Sequence, residues 1–185
     1  MSLTDAELGP RLLARARAAI EHALELGPAP TPDPDLAERG ATFVTLTRDG
    51  RLRGCIGSLK PQRALGDDVA ANAVSAALRD PRFAALTADE WPLIRVEVSL
   101  LGRAEFLDAK SEAEVLAQLK PGKDGVIFFN GCQQATFLPQ VWEQLPEPRD
   151  FLAELKKKAG LRADYWSSAV MVATYPVRKW REGDT

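Results

Sequence analysis

The sequence predicts an α+β fold, and three observations predict it. Two dipeptides, Asp49-Gly50 and Asn130-Gly131, sit between stretches of alternating apolar and polar residues. They read as hairpins, because Gly after Asp or Asn accepts the positive φ of a tight turn. Amphipathic stretches at helical spacing lie around those hairpins. The chain has 185 residues, 45% of them hydrophobic and 27% charged, enough to bury a core without disulfides or metal. Hairpin-linked strands mixed with helices define the α+β class.

The first helix is expected over Pro10 to Leu26, where Leu12, Leu13, Ala16, Ala19, Ile20 and Ala23 make one apolar face, with Gly27 as its stop. Pro28, Pro30, Pro32 and Pro34 then alternate with small or acidic residues, so residues 28–35 read as an extended, solvated connector. Ala41 to Thr47 and Arg51 to about Leu59 form the first hairpin, ended by Pro61. Leu65 to Leu78 is a second amphipathic helix, broken at Asp80-Pro81. Thr87 to Glu90 reads as a capping box, and the alternation of Ile94, Val96, Val98 and Leu100 as a half-buried strand that extends toward Phe106.

A third helix is expected over Ser111 to Leu119, with Ser111 as its cap. Gly125 to Phe129 and Cys132 to Phe137 form the second hairpin, followed by a short helix from Pro139 to Trp142. A longer helix runs from Pro148 to Ala159 and stops at Gly160. Ala169 to Tyr175 is the last expected strand, and the polar tail from Arg178 is expected to fray. The order strand, Gly-containing turn, strand, proline, helix occurs at Phe43 to Leu78 and again from Val126, with a cysteine in each returning strand. This suggests two similar halves, neither with an evident core of its own.

Composition excludes several functions. The 24 Lys+Arg balance 26 Asp+Glu, so no strongly basic nucleic-acid binder is expected. No apolar run approaches the roughly 20 residues of a membrane span, and the first residues lack the plan of a signal peptide. The two cysteines cannot build a disulfide framework, which points to the reducing cytoplasm. With one histidine, His22, and two thiols, no metal site and no cofactor are expected.

The residues with chemical potential cluster in Leu52-Arg53-Gly54-Cys55-Ile56-Gly57. Two glycines weaken a strand interior and need a reason there: a bulge, or close approach by a ligand or another backbone. With Arg53 beside them, bared N–H groups could hold a small anion. The plainer reading fits Gly54 and Gly57 under a packed helix, with Cys55 and Ile56 filling core. A nucleophilic Cys55 would need a base or a lowered pKa, and His22 lies off the apolar stripe of its helix. Asp80-Pro81-Arg82-Phe83 reads as a helix stop in which Arg82 could face a cleft, and Lys156-Lys157-Lys158 as a solvated charge run.

Leu52 to Gly57, Asp80-Pro81-Arg82-Phe83 and Leu138-Pro139-Gln140-Val141, in that order and spacing, together with the stretch Phe151 to Leu161, resemble the AMME-syndrome candidate-gene domain family. Its bacterial members are called AmmeMemoRadiSam system protein A. The resemblance spans about Leu12 to Glu182. It implies an α+β domain over residues 1–185 with two subdomains around antiparallel or mixed sheets flanked by helices. It also implies association with a Memo-like protein and a radical S-adenosylmethionine protein, and it brings no catalytic role. Many bacterial members carry a cysteine near Lys156 that this chain lacks, which argues against a cysteine-cluster metal site. The expected function is an accessory or binding protein whose face at Arg53, Gly54, Ile56, Gly57 and Arg82 holds a partner or an anion. An enzyme with Cys55 as nucleophile and a pure scaffold are the two alternatives.

Overall fold

The computed structural model describes residues 3–183. Helix α1 spans Asp5–Ala23 and begins one turn earlier than its apolar stripe suggests. Thr4 and Glu7 form a reciprocal capping box, and Pro10 lies within the helix. Pro10 is the sixth residue of the helix, so the Ala6 carbonyl, its i−4 acceptor, receives no N–H from it. The helix also ends early. Glu25, not Gly27, takes the positive φ, at 61°, so Gly27 lies beyond the stop.

After the proline connector, β1 (Arg39–Gly40) precedes β2 (Thr42–Arg48) and β3 (Arg51–Gly57). Asp49 and Gly50 both have positive φ, 50° and 75°, the type I′ turn that suits the twist of a two-residue hairpin. β4 (Arg63–Ala64) pairs with β1 as a short ribbon. Helix α2 covers Leu65–Leu78, and β5 covers Ile94–Leu101. The short β6 (Glu105–Phe106) is a separate strand, because Gly102 interrupts the alternation. Helix α3 is Glu112–Gln118, with the Ser111 hydroxyl accepting the Glu114 N–H at 3.3 Å as expected of its cap.

Strands β7 (Gly125–Asn130) and β8 (Gln133–Phe137) form the second hairpin. Its turn is one residue later than expected, since Asn130 pairs with Gln133. Gly131, with φ 60°, occupies the first central position, as a type II′ turn requires. Cys132 therefore sits exposed in the turn and not in the strand, which removes the cysteine from the proposed repeat. A 3₁₀ segment over Pro139–Glu143 leads to α4 (Pro148–Lys158), followed by β9 (Val170–Tyr175) and β10 (Val177–Arg181). The polar tail is thus largely a strand: β10 joins the sheet beside β5.

The chain divides into two compact units. The first contains residues up to Leu101 and from Arg178 onward, and the second contains Gly102–Val177. Each has a four-stranded sheet, ordered β10-β5-β2-β3 in the first and β6-β9-β7-β8 in the second. Contrary to expectation, each has its own core. In the first, Leu12, Ala16 and Ile20 of α1 and Val69, Ala73 and Ala76 of α2 pack with Val44, Leu46, Val96 and Val98 of the sheet. In the second, Phe151, Leu152 and Leu155 of α4 pack with Val126, Phe128 and Val172. Lys156 is fully buried there, not solvated: its Nζ donates to Glu112 at 2.7 Å and to the Ala163 carbonyl at 3.1 Å. Burying this ammonium is tolerable only because both partners are in place.

Candidate functional site

The motif Leu52 to Gly57 is the free edge of the first sheet, because among the described residues β3 pairs with β2 alone. Its pairing with β2 is Val44↔Ile56, Thr45↔Cys55 and Leu46↔Gly54, then Thr47↔Leu52, so Arg53 is an extra residue in a bulge. A bulge re-aims side chains and bends an edge away from further pairing. Side chains alternate from here. Gly54 and Ile56 face the helices with Val44 and Leu46, whereas Cys55 and Gly57 share the other face with Thr45 and Phe43.

Both glycines have a packing reason. A Cβ on Gly54 would lie 2.2 Å from the backbone oxygen of Ala76 in α2, and one on Gly57 would lie 2.1 Å from the ring of Phe43. Strand and helix approach too closely at Gly54 for any side chain. Ile56 packs against the core beneath.

Cys55 turns its backbone N–H and C=O toward the free edge, and a side-chain pair answers both. Its N–H donates to Asp80 Oδ2 at 2.8 Å, and its carbonyl accepts from Arg82 Nη2 at 3.2 Å. Asp80 is only 4% exposed. It also accepts the Arg82 backbone N–H at 3.1 Å, Nε at 3.0 Å and Nη2 at 2.7 Å. The side-chain bonds from Arg82, reinforced by the two backbone N–H groups, hold the Asp80 carboxyl far below the usual carboxylate range, against its burial. The pair stands where the next strand of the sheet would lie. Arg82 itself remains half exposed, with 53% of its side chain accessible. Its Nη1 makes no hydrogen bond among the described residues, and its guanidinium carbon lies 5.5 Å from the Phe83 ring centre.

Arg53, the expected anion holder, is engaged elsewhere. Nε and Nη2 reach Glu90 Oε1 and Oε2 at 3.2 and 3.0 Å, Nη1 reaches the Ala84 carbonyl at 3.0 Å, and only 15% of the side chain is exposed. Glu90 also receives Arg48 at 3.3 Å and the Thr87 N–H and hydroxyl, each at 3.3 Å. The Arg53 bonds chiefly, then those of Thr87, bring the Glu90 carboxyl down to about 2 despite desolvation. Arg53 therefore ties β3 to the loop after α2. Arg51 and Arg79, both exposed, make no side-chain bond among the described residues.

The Cys55 thiol is half-buried and accepts from Thr45 Oγ1 at 3.3 Å. Burial pushes it up from 9.0, against the smaller pulls of Thr45 and Arg82. No imidazole serves it: His22 is exposed on α1 with Nδ1 3.2 Å from the Gly27 carbonyl oxygen. Across the sheet, Thr45 pairs with Glu97. Glu97 is 5% exposed and bonded to Arg181 at 2.5 and 2.9 Å. Just past Gly57, Ser58, Thr42 and Asn72 surround the Asp68 carboxylate, which is 1% exposed and paired with Arg63 at 3.0 Å. This network pins the start of α2 to the hairpin. Among the described residues no group of three His, Cys, Asp or Glu side chains could hold a metal ion, and no helix is long and apolar enough to cross a membrane.

The sequence profile of the AMMECR1 family matches residues 13–180, which includes the whole of this edge and its Asp80–Arg82 plug. The chain belongs to the AMMECR1 family. AMMECR1-family relatives of similar length exist in archaea. A protein of Methanosarcina mazei is 38% identical over 97% of this chain and 94% of its own length. One from Thermofilum pendens is 37% identical over 90% of this chain and 85% of its own. The crystal structure of an uncharacterised protein from Pyrococcus horikoshii superposes with a TM-score of 0.86, at 32% identity, over 99% of this chain and 95% of that one.

Of the expected site residues, Cys55 and Arg82 meet at the free edge, Arg53 is bonded away from them to Glu90 and the Ala84 carbonyl, Gly54 and Ile56 face the helices, and Gly57 shares the face of Cys55. The sequence reading missed Glu90 as the partner of Arg53 and Thr45 as the partner of Cys55. The Thr87-to-Glu90 capping signature contained the first clue, since it predicts a fixed carboxylate. The cross-strand position of Thr45 opposite Cys55 contained the second.

Proposed function

We propose that this AMMECR1 domain is a non-catalytic binding module whose face at the β3 edge takes an acidic group of a partner protein. The observation that carries the reading is Arg82. Its guanidinium is held rigid by Asp80, half exposed, and has one amino group unbonded among the described residues. A preorganised guanidinium of this kind makes charge-assisted contacts with carboxylates or phosphates. Arg51 and Arg79 add unpaired positive charge to the same strand and to the segment before Asp80. The partner engages side chains and does not add a strand, because the Asp80–Arg82 pair already occupies the hydrogen-bonding position at Cys55. The Memo-like protein, and after it the radical S-adenosylmethionine protein, are the proposed partners on the family resemblance. The reading of Cys55 as a nucleophile stands second, since its thiol is pushed up and lacks a base.

The test is pull-down of the Memo-like protein with four variants, each checked by thermal melting. Arg79→Glu and Arg51→Glu alter only exposed, unpaired charges and should leave melting within about 0.5 kcal/mol of wild type while weakening capture. Arg82→Ala should abolish capture and also lower stability, because Asp80 loses its cation. Cys55→Ser should capture normally. Undiminished capture by both Arg79→Glu and Arg82→Ala, with folded protein, overturns the proposal.

A further inference from the structure

A cavity of about 450 Å³ opens in the first unit, away from the β3 edge, between the start of α1, the β1–β4 ribbon and the end of β5. This is within the size range of small-molecule sites, roughly 300 to 1,000 Å³. Its floor is apolar: Leu8, Leu65 and Leu100 line it, each less than a tenth exposed. Charged side chains form its rim, and two of the four are paired within the chain. Asp35 meets Arg11 at 3.1 Å, and Arg178 meets Asp5 at 2.5 Å. Two lining residues are left over. Glu38 and Arg39 both line the cavity and are exposed, and neither side chain makes a hydrogen bond or ion pair among the described residues.

Their backbone, by contrast, is fixed. The Glu38 carbonyl accepts the Leu65 N–H at 2.8 Å, and Arg39 and Gly40 pair with Ala64 and Arg63. One unpaired anion and one unpaired cation are thus anchored side by side above an apolar floor. Such a rim complements a molecule that has an apolar body and one charge of each sign. Holding the two charged residues on a pinned ribbon reduces the ordering cost of binding.

We propose that this cavity binds a small zwitterion with an apolar body, of the class of a short aliphatic peptide with free ends. The ammonium faces Glu38, the carboxylate faces Arg39, and the side chains lie on Leu8, Leu65 and Leu100.

The experiment is calorimetric titration of the full chain with the dipeptide Leu-Leu, with N-acetyl-Leu-Leu and with Leu-Leu amide, at a pH where the free amine is protonated. Leu-Leu should bind, and each blocked form should bind at least about tenfold more weakly, since each lacks one charge-assisted contact. Glu38→Gln and Arg39→Gln change exposed, unpaired side chains and leave folding intact. Glu38→Gln should weaken Leu-Leu about tenfold and make binding indifferent to acetylation. Arg39→Gln should do the same for amidation, which closes a double-mutant cycle on each contact. Absence of binding at millimolar dipeptide overturns the proposal. So does equal binding of all three compounds, or blocked-form penalties that survive in the matching variant.

Discussion

Glu90 gathers Arg53, Arg48 and Thr87 onto one carboxylate. Its folded value lies near 2, against 4.5 for the free group. A carboxylate with a depressed folded value stabilises the native state in full above its unfolded value, and that contribution disappears as pH falls through the folded one. The stability difference between wild type and Glu90→Gln should therefore be constant near neutrality and shrink as pH drops from about 4.5 toward 2. Denaturant melts across that window check it; a gap that widens with acidification would contradict the assignment. The same pairing explains why Arg53→Ala is a poor probe of binding. It removes bonds to a charged partner worth roughly 1.5 to 3 kcal/mol each, so its stability cost would mask any loss of a partner.

Strand β3 and helix α2 meet where Gly54 lies under the Ala76 carbonyl. A methyl group there would come within 2.2 Å of a backbone oxygen that cannot rotate away. Gly54→Ala should lower stability by about 1 to 3 kcal/mol, the usual cost of overpacking. Gly57→Ala should cost less, because the obstacle is a side chain, the Phe43 ring. Chemical denaturation of the two variants decides this, and equal losses would show that the helix carbonyl is not the constraint. The edges of both sheets follow a common plan. Arg82 donates to the Cys55 carbonyl on β3, and Lys158 donates to the Thr136 carbonyl on β8 at 3.0 Å. Basic side chains that occupy edge carbonyls discourage unwanted strand addition.

The two units have separate cores, and the second is inserted between β5 and β10 of the first. Leu152 is fully buried in the second core. Truncation to Leu152→Ala should cost about 2 to 5 kcal/mol. Hydrogen exchange should accelerate mainly at residues 102–177, since local stability follows cooperative units. Uniform acceleration over the whole chain would mean that the two cores unfold as one.

Local interactions account for what the sequence determined by itself. The Asp49-Gly50 turn, helix α2 at Leu65–Leu78, the Ser111 cap and the Gly160 stop all depend on residues within about four positions of one another, the range over which turn and cap chemistry operates. The one-residue error at the second turn is of the same kind, because Asn130-Gly131 and Gly131-Cys132 both satisfy a tight turn and only the pairing of Asn130 with Gln133 chooses between them. The resemblance carried by Leu52 to Gly57 and Asp80 to Phe83 was legible for the same reason: each is a short, contiguous string. What those strings do was not legible. Arg53 finds Glu90 37 positions away, Cys55 finds Asp80 25 positions away, and Lys156 finds Glu112 44 positions back. The frayed-looking tail becomes β10 because β5 offers it an unpaired edge. A guanidinium, a lysine or a polar strand looks solvated in sequence until a distant partner desolvates and neutralises it, and only the tertiary structure decides whether that partner arrives.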